Sequence, residues 1–154
     1  MKSAWLRGLP LLLLLLGAVW AGSSLPAGDD GRPSGAEVYR RTRRGVAWVL
    51  SPDTGRGTGW VLDRPRRLLV TCAHVVGDNQ TVDVVFPVRQ DDGAVVADRA
   101  YYFEHMADLR VHGRVLKSRP GVDLALVELE SLPDGVAALP LADDGARPGD
   151  RVHV

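Results

Sequence analysis

Between Val46 and Glu130 the chain repeats one pattern six times: a short run of β-branched and apolar residues, then a break rich in Gly, Pro, Asp or Arg. The runs are VAWVL (46–50), GTGWVLD (57–63), RLLVTCA (67–73), TVDVVFP (81–87), VHGRVLKS (111–118) and VDLALVELE (122–130). Alternation in the fourth places Val82, Val84 and Phe86 on one face, as a half-buried strand requires. Little helical periodicity lies between the runs. Closely spaced short strands of this kind specify an all-β barrel or sandwich rather than a helical or α/β fold. DRVHV (150–154) starts a further strand, and Glu37–Arg44 has room for a turn of helix. Residues 91–110 are expected to hold either one more strand, around Tyr101–Glu104, or a long loop.

The N-terminus reads differently. Lys2 and Arg7 precede an apolar block from Leu9 to Trp20, and small residues follow from Ala21 to Ser24. A charged start, a short apolar core and a small-residue exit predict a secretory signal peptide over 1–21, cleaved after Ala21, with Ala27 as a second candidate. The block is short for a membrane span of about 20 residues. Residues 22–45 are expected to be a tail or linker, with Gly, Ser, Pro and Asp dense up to Glu37, and 46–154 a single domain. The product would be exported, to a periplasmic or extracellular space, without a membrane anchor.

Removing Lys2 and Arg7 takes the lysine-plus-arginine count from 19 to 17 against 19 acidic residues, a net charge of about −2. That balance does not point to nucleic acid, and the basic run Arg40–Arg44 reads as a solvated stretch. Cys72 is the single cysteine, so no intramolecular disulfide supports the fold and the core alone must hold it. The triplet Asp-Asp-Gly occurs at 29–31, 91–93 and 143–145, without the close ligand ladder of a calcium loop. It is read as a turn signal. Glycines 55, 57 and 59 lack the strand–loop–helix setting and lysine of a phosphate loop, and fit a bend or close approach in a strand.

Two residues have the chemistry of a proton-transfer site. His74 follows the third run, where a rigid backbone can hold an imidazole at a fixed point and a second group can set its tautomer. Alone, such a histidine is more often structural. Asp123 opens the run DLALVELE, 49 residues later. A carboxylate at the head of a buried strand needs a partner, and histidine is a suitable one. Alone, Asp123 serves equally as a turn or cap residue.

Taken in order, GTGWVLD, LLVTCAHVV, VDLALVELE and LPLADDGARPGDRVHV resemble the trypsin-like serine peptidases, most closely the HtrA/Deg-type bacterial branch, over roughly 46–154. The resemblance implies a chymotrypsin-like antiparallel β-barrel, the first of two, with only the start of the second. It implies a His–Asp–Ser triad that hydrolyses internal peptide bonds of extracytoplasmic proteins without metal or organic cofactor. His74 matches the general base and acid, and Asp123 its orienting partner. The family's serine lies in a Gly-x-Ser-Gly type segment of the second barrel, which also builds the oxyanion hole and main specificity pocket. No such segment occurs in these 154 residues. None of Ser3, Ser23, Ser24, Ser34, Ser51, Ser118 and Ser131 has the glycine-framed turn that exposes a nucleophile. This chain alone is therefore expected to be inactive, and to associate through the face that a second barrel would cover.

Cys72 does not replace the serine on this reading. Residues two apart on a strand are separated by roughly 6.5–7 Å along it, against about 3 Å for a hydrogen bond. Cys72 is expected to pack in the core. His105, His112 and His153 show no ligand spacing and are read as surface or strand residues, not a metal site. Two other readings stand beside the peptidase: a non-catalytic barrel acting as a binding or assembly module, and an exported β-domain whose histidine and aspartate never meet.

Overall fold

The computed structural model describes residues 33–150 and Val152. The expected signal peptide, the tail up to Arg32 and most of the strand expected at 150–154 lie outside the described residues. Six strands close into an antiparallel barrel: β1 (Val46–Ser51), β2 (Gly55–Asp63), β3 (Leu68–Thr71), β4 (Thr81–Val85), β5 (Arg110–Arg119) and β6 (Leu124–Leu129). They are joined in the order β1-β2-β3-β6-β5-β4, with β4 returning to β1. The six apolar runs thus become the six staves.

Alternate residues fill the interior, as the two-residue period of a strand demands. Ala47, Val49, Val61, Leu69, Val82, Val84, Ala125, Val127 and Leu129 are all buried. Two glycines make this packing possible. A Cβ on Gly59 would lie 2.5 Å from Leu69 Cδ2, and one on Gly113 would lie 2.6 Å from Val127 Cγ1. Their absent side chains leave the space that the larger residues opposite occupy. Register shifts between Val61 and Asp63 on β2, and between Val115 and Lys117 on β5, bend those strands as a closed sheet requires.

Before the barrel, α1 (Gly35–Thr42) begins earlier than the expected turn of helix. Ser34 caps it, its hydroxyl accepting the Glu37 N–H at 3.2 Å, and Arg40 and Arg41 sit favourably in its last turn.

Residues 91–110 form neither of the expected structures. A turn at Gly93 (φ 79°) and a bridge between Arg89 and Val95 lead into two short helices, α3 (Arg99–Glu104) and α4 (Met106–Leu109). Asp98 caps α3, its carboxylate accepting the Ala100 N–H at 2.9 Å. Buried Tyr102 anchors the segment: its hydroxyl accepts from Val88 N–H and donates to the Val96 carbonyl, and its ring packs 5.4 Å from that of Trp48. Aromatic residues read as strand formers here serve a helix because Asp98 stops the extended chain and Tyr102 needs a buried contact.

The third run also departs from expectation. β3 ends at Thr71 rather than Ala73, and the chain turns at once into α2 (Ala73–Val76). Ala73, Val75 and Val76 are buried, and α2 touches β1, β2, β5 and β6, so it packs across one end of the barrel.

Candidate active site

His74 sits in the first turn of α2, and its position is set by what holds that turn. The carbonyls at the end of α2 are satisfied by side chains from elsewhere. Thr54 Oγ1 donates to the Val75 carbonyl, while Asn79 Nδ2 at 3.0 Å and Ser51 Oγ at 3.4 Å donate to that of Val76. Gly57 has no side chain to collide with Val75, which packs where a Cβ would stand. The glycine-rich stretch of β2 therefore lets α2 settle against the barrel.

Asp123 reaches the same place from the other side. Thr71 of β3 pairs with Ala125 of β6, so continuation of that register puts position 123 opposite position 73. A 3-10 turn, Pro120–Val122, delivers the chain there, and Asp123 follows it with left-handed backbone angles (φ 52°, ψ 45°). Aspartate is among the few non-glycine residues found in that region. The side chain is 49% exposed, so the carboxylate is not buried at the head of its strand as the sequence argument supposed. Its hydrogen bonds, not desolvation, explain the pairing.

Those bonds are three contacts with one residue. The His74 backbone N–H donates to Asp123 Oδ1 at 2.9 Å, and His74 Nδ1 lies 3.0 Å from Oδ1 and 2.8 Å from Oδ2. A carboxylate accepts, so the pattern assigns the proton to Nδ1 and leaves Nε2 as the nitrogen able to take a proton. The backbone N–H bond first, and the ring N–H bond second, hold the Asp123 carboxyl below its ordinary range. His74 is 72% exposed, open to an approaching reactant.

A family model described as a trypsin-like peptidase domain matches residues 57–154, the span that carries both side chains. The chain belongs to the trypsin-like peptidase family. No curated protein matches it. Among solved structures, a serine endoprotease from Yersinia pestis is similar over 77% of this chain and 37% of its own, at 16% identity and a TM-score of 0.51, which shows the fold. The Rv3671c protease in an inactive form matches over 71% of this chain and 43% of its own, at 23% identity and a TM-score of 0.47. An inactive serine-to-alanine variant of Rv3671c from M. tuberculosis matches over 71% and 44%, at 25% identity and a TM-score of 0.49. The chain thus spans less than half the length of each of these proteins.

Beside the His–Asp pair of this trypsin-like domain lies Cys72. It packs against the core, as expected, but only partly buried. Because the chain turns at Ala73, its sulfur does not stand a strand repeat away. The ligand atoms of Cys72, His74 and Asp123 all lie within 4.8 Å of one another. Burial, then the charge of Asp123 and a hydrogen bond to it, push the Cys72 thiol above its ordinary value. A thiol held protonated in this way is a poor nucleophile.

The remaining described histidines are elsewhere. His105 Nδ1 donates to the Tyr101 carbonyl at 2.8 Å, and its ring stacks on that of Tyr101. His112 on β5 lies directly opposite Asp83 on β4, with Nδ1 2.7 Å from Oδ1. This second His–Asp pair escaped the sequence reading. Its signal was the outward-facing position of both residues in neighbouring strands. Arg110 shares the same carboxylate at 3.5 Å, so the pair belongs to a surface charge cluster on the barrel wall.

Proposed function

We propose that this chain is the first barrel of a serine endopeptidase of the HtrA/Deg type, with His74 as general base and acid and Asp123 as the residue that orients it. The observation that carries the reading is the double hydrogen bond from His74 to the Asp123 carboxylate, which leaves Nε2 free to accept a proton. In the reaction, Nε2 takes the proton of a serine hydroxyl as it attacks a peptide carbonyl, then returns it to the leaving amine. Asp123 stabilises the imidazolium between these steps. The serine, the oxyanion hole and the specificity pocket belong to a second barrel, so the 154 residues alone do not hydrolyse peptides.

Export supports extracytoplasmic proteins as substrates. The sequence of residues 1–21 motivates that part, and N-terminal sequencing of secreted product checks it: a mature chain beginning at Gly22 is expected, and retention of Met1 in an exported form would count against it.

The test of the catalytic reading uses a serine-directed fluorophosphonate probe. The 154-residue chain is expected to stay unlabelled. A product extended by its own downstream codons through a Gly-x-Ser-Gly segment is expected to be labelled, and His74→Ala in that product to lower peptide hydrolysis by at least about 10⁴-fold. His74-dependent labelling of the short chain, or downstream codons that supply no such segment in any frame, would overturn the proposal. The latter result favours the binding-module reading.

A further inference from the structure

Cys72, His74 and Asp123 bring a sulfur, an imidazole nitrogen and a carboxylate oxygen within 4.8 Å of one another. Two separate chain segments meet to do so, Cys72 at the head of α2 and Asp123 at the turn before β6. We infer that these three side chains form a binding site for a borderline divalent cation of the zinc class, and that the cation, once bound, takes His74 out of proton transfer.

The donor set decides the class of cation. Cysteine sulfur, histidine nitrogen and carboxylate oxygen are the ligands zinc takes, with bonds of about 2.0–2.3 Å. A thiolate disfavours magnesium and calcium, which prefer all-oxygen shells. In a tetrahedral site, bonds of that length put neighbouring ligand atoms roughly 3.3–3.7 Å apart. His74 Nδ1 and Asp123 Oδ2 stand at 2.8 Å, and the widest separation in the trio is under 4.8 Å. These separations bracket the tetrahedral spacing, so closing the site calls on side-chain torsions. His74 is exposed, so the fourth position faces solvent and gives the ion a way in.

The charges and protons balance. Coordination to the Cys72 thiol releases the Sγ proton, and the resulting thiolate and the Asp123 carboxylate together neutralise a dication. Nδ1 gives up its proton to bind the ion, and the ring keeps that proton on Nε2 instead. No ring nitrogen then remains to accept a proton from a hydroxyl. The block on proton transfer rests on the reading of His74 as a base. The binding does not, and the test reads binding alone.

The whole chain is titrated with Zn²⁺ in competition with a chromophoric chelator, and with Co²⁺ while thiolate-to-cobalt charge transfer is followed in the near ultraviolet. One Zn²⁺ per chain and a thiolate–cobalt band are expected. Cys72→Ser is expected to abolish the band and weaken Zn²⁺ at least about tenfold, since it removes a direct ligand where loss of even an outer partner costs about 10–100-fold. Asp123→Asn, which leaves Cys72 in place, is expected to weaken Zn²⁺ while keeping the band at higher Co²⁺. His112→Ala, at the other His–Asp pair, is expected to change neither. Circular dichroism establishes that each variant keeps its β-sheet. Absence of Zn²⁺ binding, binding without the thiolate band, or equal affinity in the Cys72→Ser chain overturns the inference, as does a loss caused by His112→Ala.

Discussion

The His74 backbone N–H and its ring Nδ1 both reach the one carboxylate of Asp123, at 2.9 and 2.8 Å. One side chain thereby fixes where α2 starts and how the imidazole on it is turned. The arrangement explains why the aspartate occupies a left-handed backbone position. From there it can face back across the end of β3 toward residue 74, where its oxygens accept from two N–H groups.

The ring tautomer follows from this contact. Asn at 123 keeps one oxygen for the backbone N–H but offers an amide N–H to the ring, which then must accept at Nδ1 and carry its proton on Nε2. Nitrogen NMR of histidine-labelled chain is expected to show His74 protonated on Nδ1 in the neutral ring, and on Nε2 in Asp123→Asn. In a longer product with an intact second barrel, the same change is expected to lower kcat by about 10⁴-fold. An unaltered tautomer would mean that the two residues do not meet in solution.

The acid behaviour of Asp123 has a definite sign. Its carboxyl is held low in the folded chain by the two His74 hydrogen bonds. A depressed folded pKa contributes stability that is present above the unfolded value, about 3.9 for aspartate, and lost as pH falls through the folded value. Carboxyl-carbon NMR is expected to place the Asp123 midpoint below that of an ordinary aspartate. His74→Ala should raise the midpoint only part of the way, because the backbone N–H bond at position 74 survives the substitution. A midpoint unchanged by His74→Ala would show that the ring contributes nothing to holding the charge.

Much of the barrel was legible because each strand alternates: Val82 and Val84 turn inward two residues apart, and so do Ala125, Val127 and Leu129. His74 and Asp123 were legible as a pair through the order of four segments, although the burial argued for Asp123 does not hold. What hid the rest was local chain direction. The run 67–73 has no residue that announces a turn, so Cys72 read as one more strand position, and its approach to His74 and Asp123 was invisible. Likewise Tyr101, Tyr102 and Phe103 favour a strand by type, and only Asp98 as a cap and the Tyr102 hydroxyl bonds make them helical. The Asp83–His112 contact needs the β4–β5 register, which no single strand encodes.

Gly113 tests the packing argument independently of the site. Its Cβ position lies 2.6 Å from Val127 Cγ1, 3.1 Å from Leu129 Cδ2 and 3.4 Å from Val82 Cγ2, so a methyl group there meets three core side chains. Overpacking of a tight core typically costs about 1–3 kcal/mol. Gly113→Ala is expected to lower the urea midpoint by a corresponding amount, with the slope unchanged. Gly121 has open space where a Cβ would stand, and Gly121→Ala is the matched control, expected to leave the midpoint nearly unmoved. Equal stability of the two variants would show that the barrel interior has more room than the packing around Gly113 implies.

Val122 and Leu124 flank Asp123 and are 68% and 51% exposed, which puts apolar side chains on both sides of the carboxylate. On the proposed reading, this rim is where a second barrel rests. The 154-residue chain should therefore bind a hydrophobic dye and self-associate with rising concentration. The double variant Val122→Ser, Leu124→Ser is expected to reduce both effects while keeping the β-sheet circular dichroism spectrum. Exposed positions tolerate such changes within about 0.5 kcal/mol. Sedimentation velocity provides the check. A single monomeric species at all concentrations, without dye binding, would remove the apolar rim as an argument for a covering barrel. Association that survives the double variant would place the contact elsewhere and leave the surroundings of Asp123 free in solution.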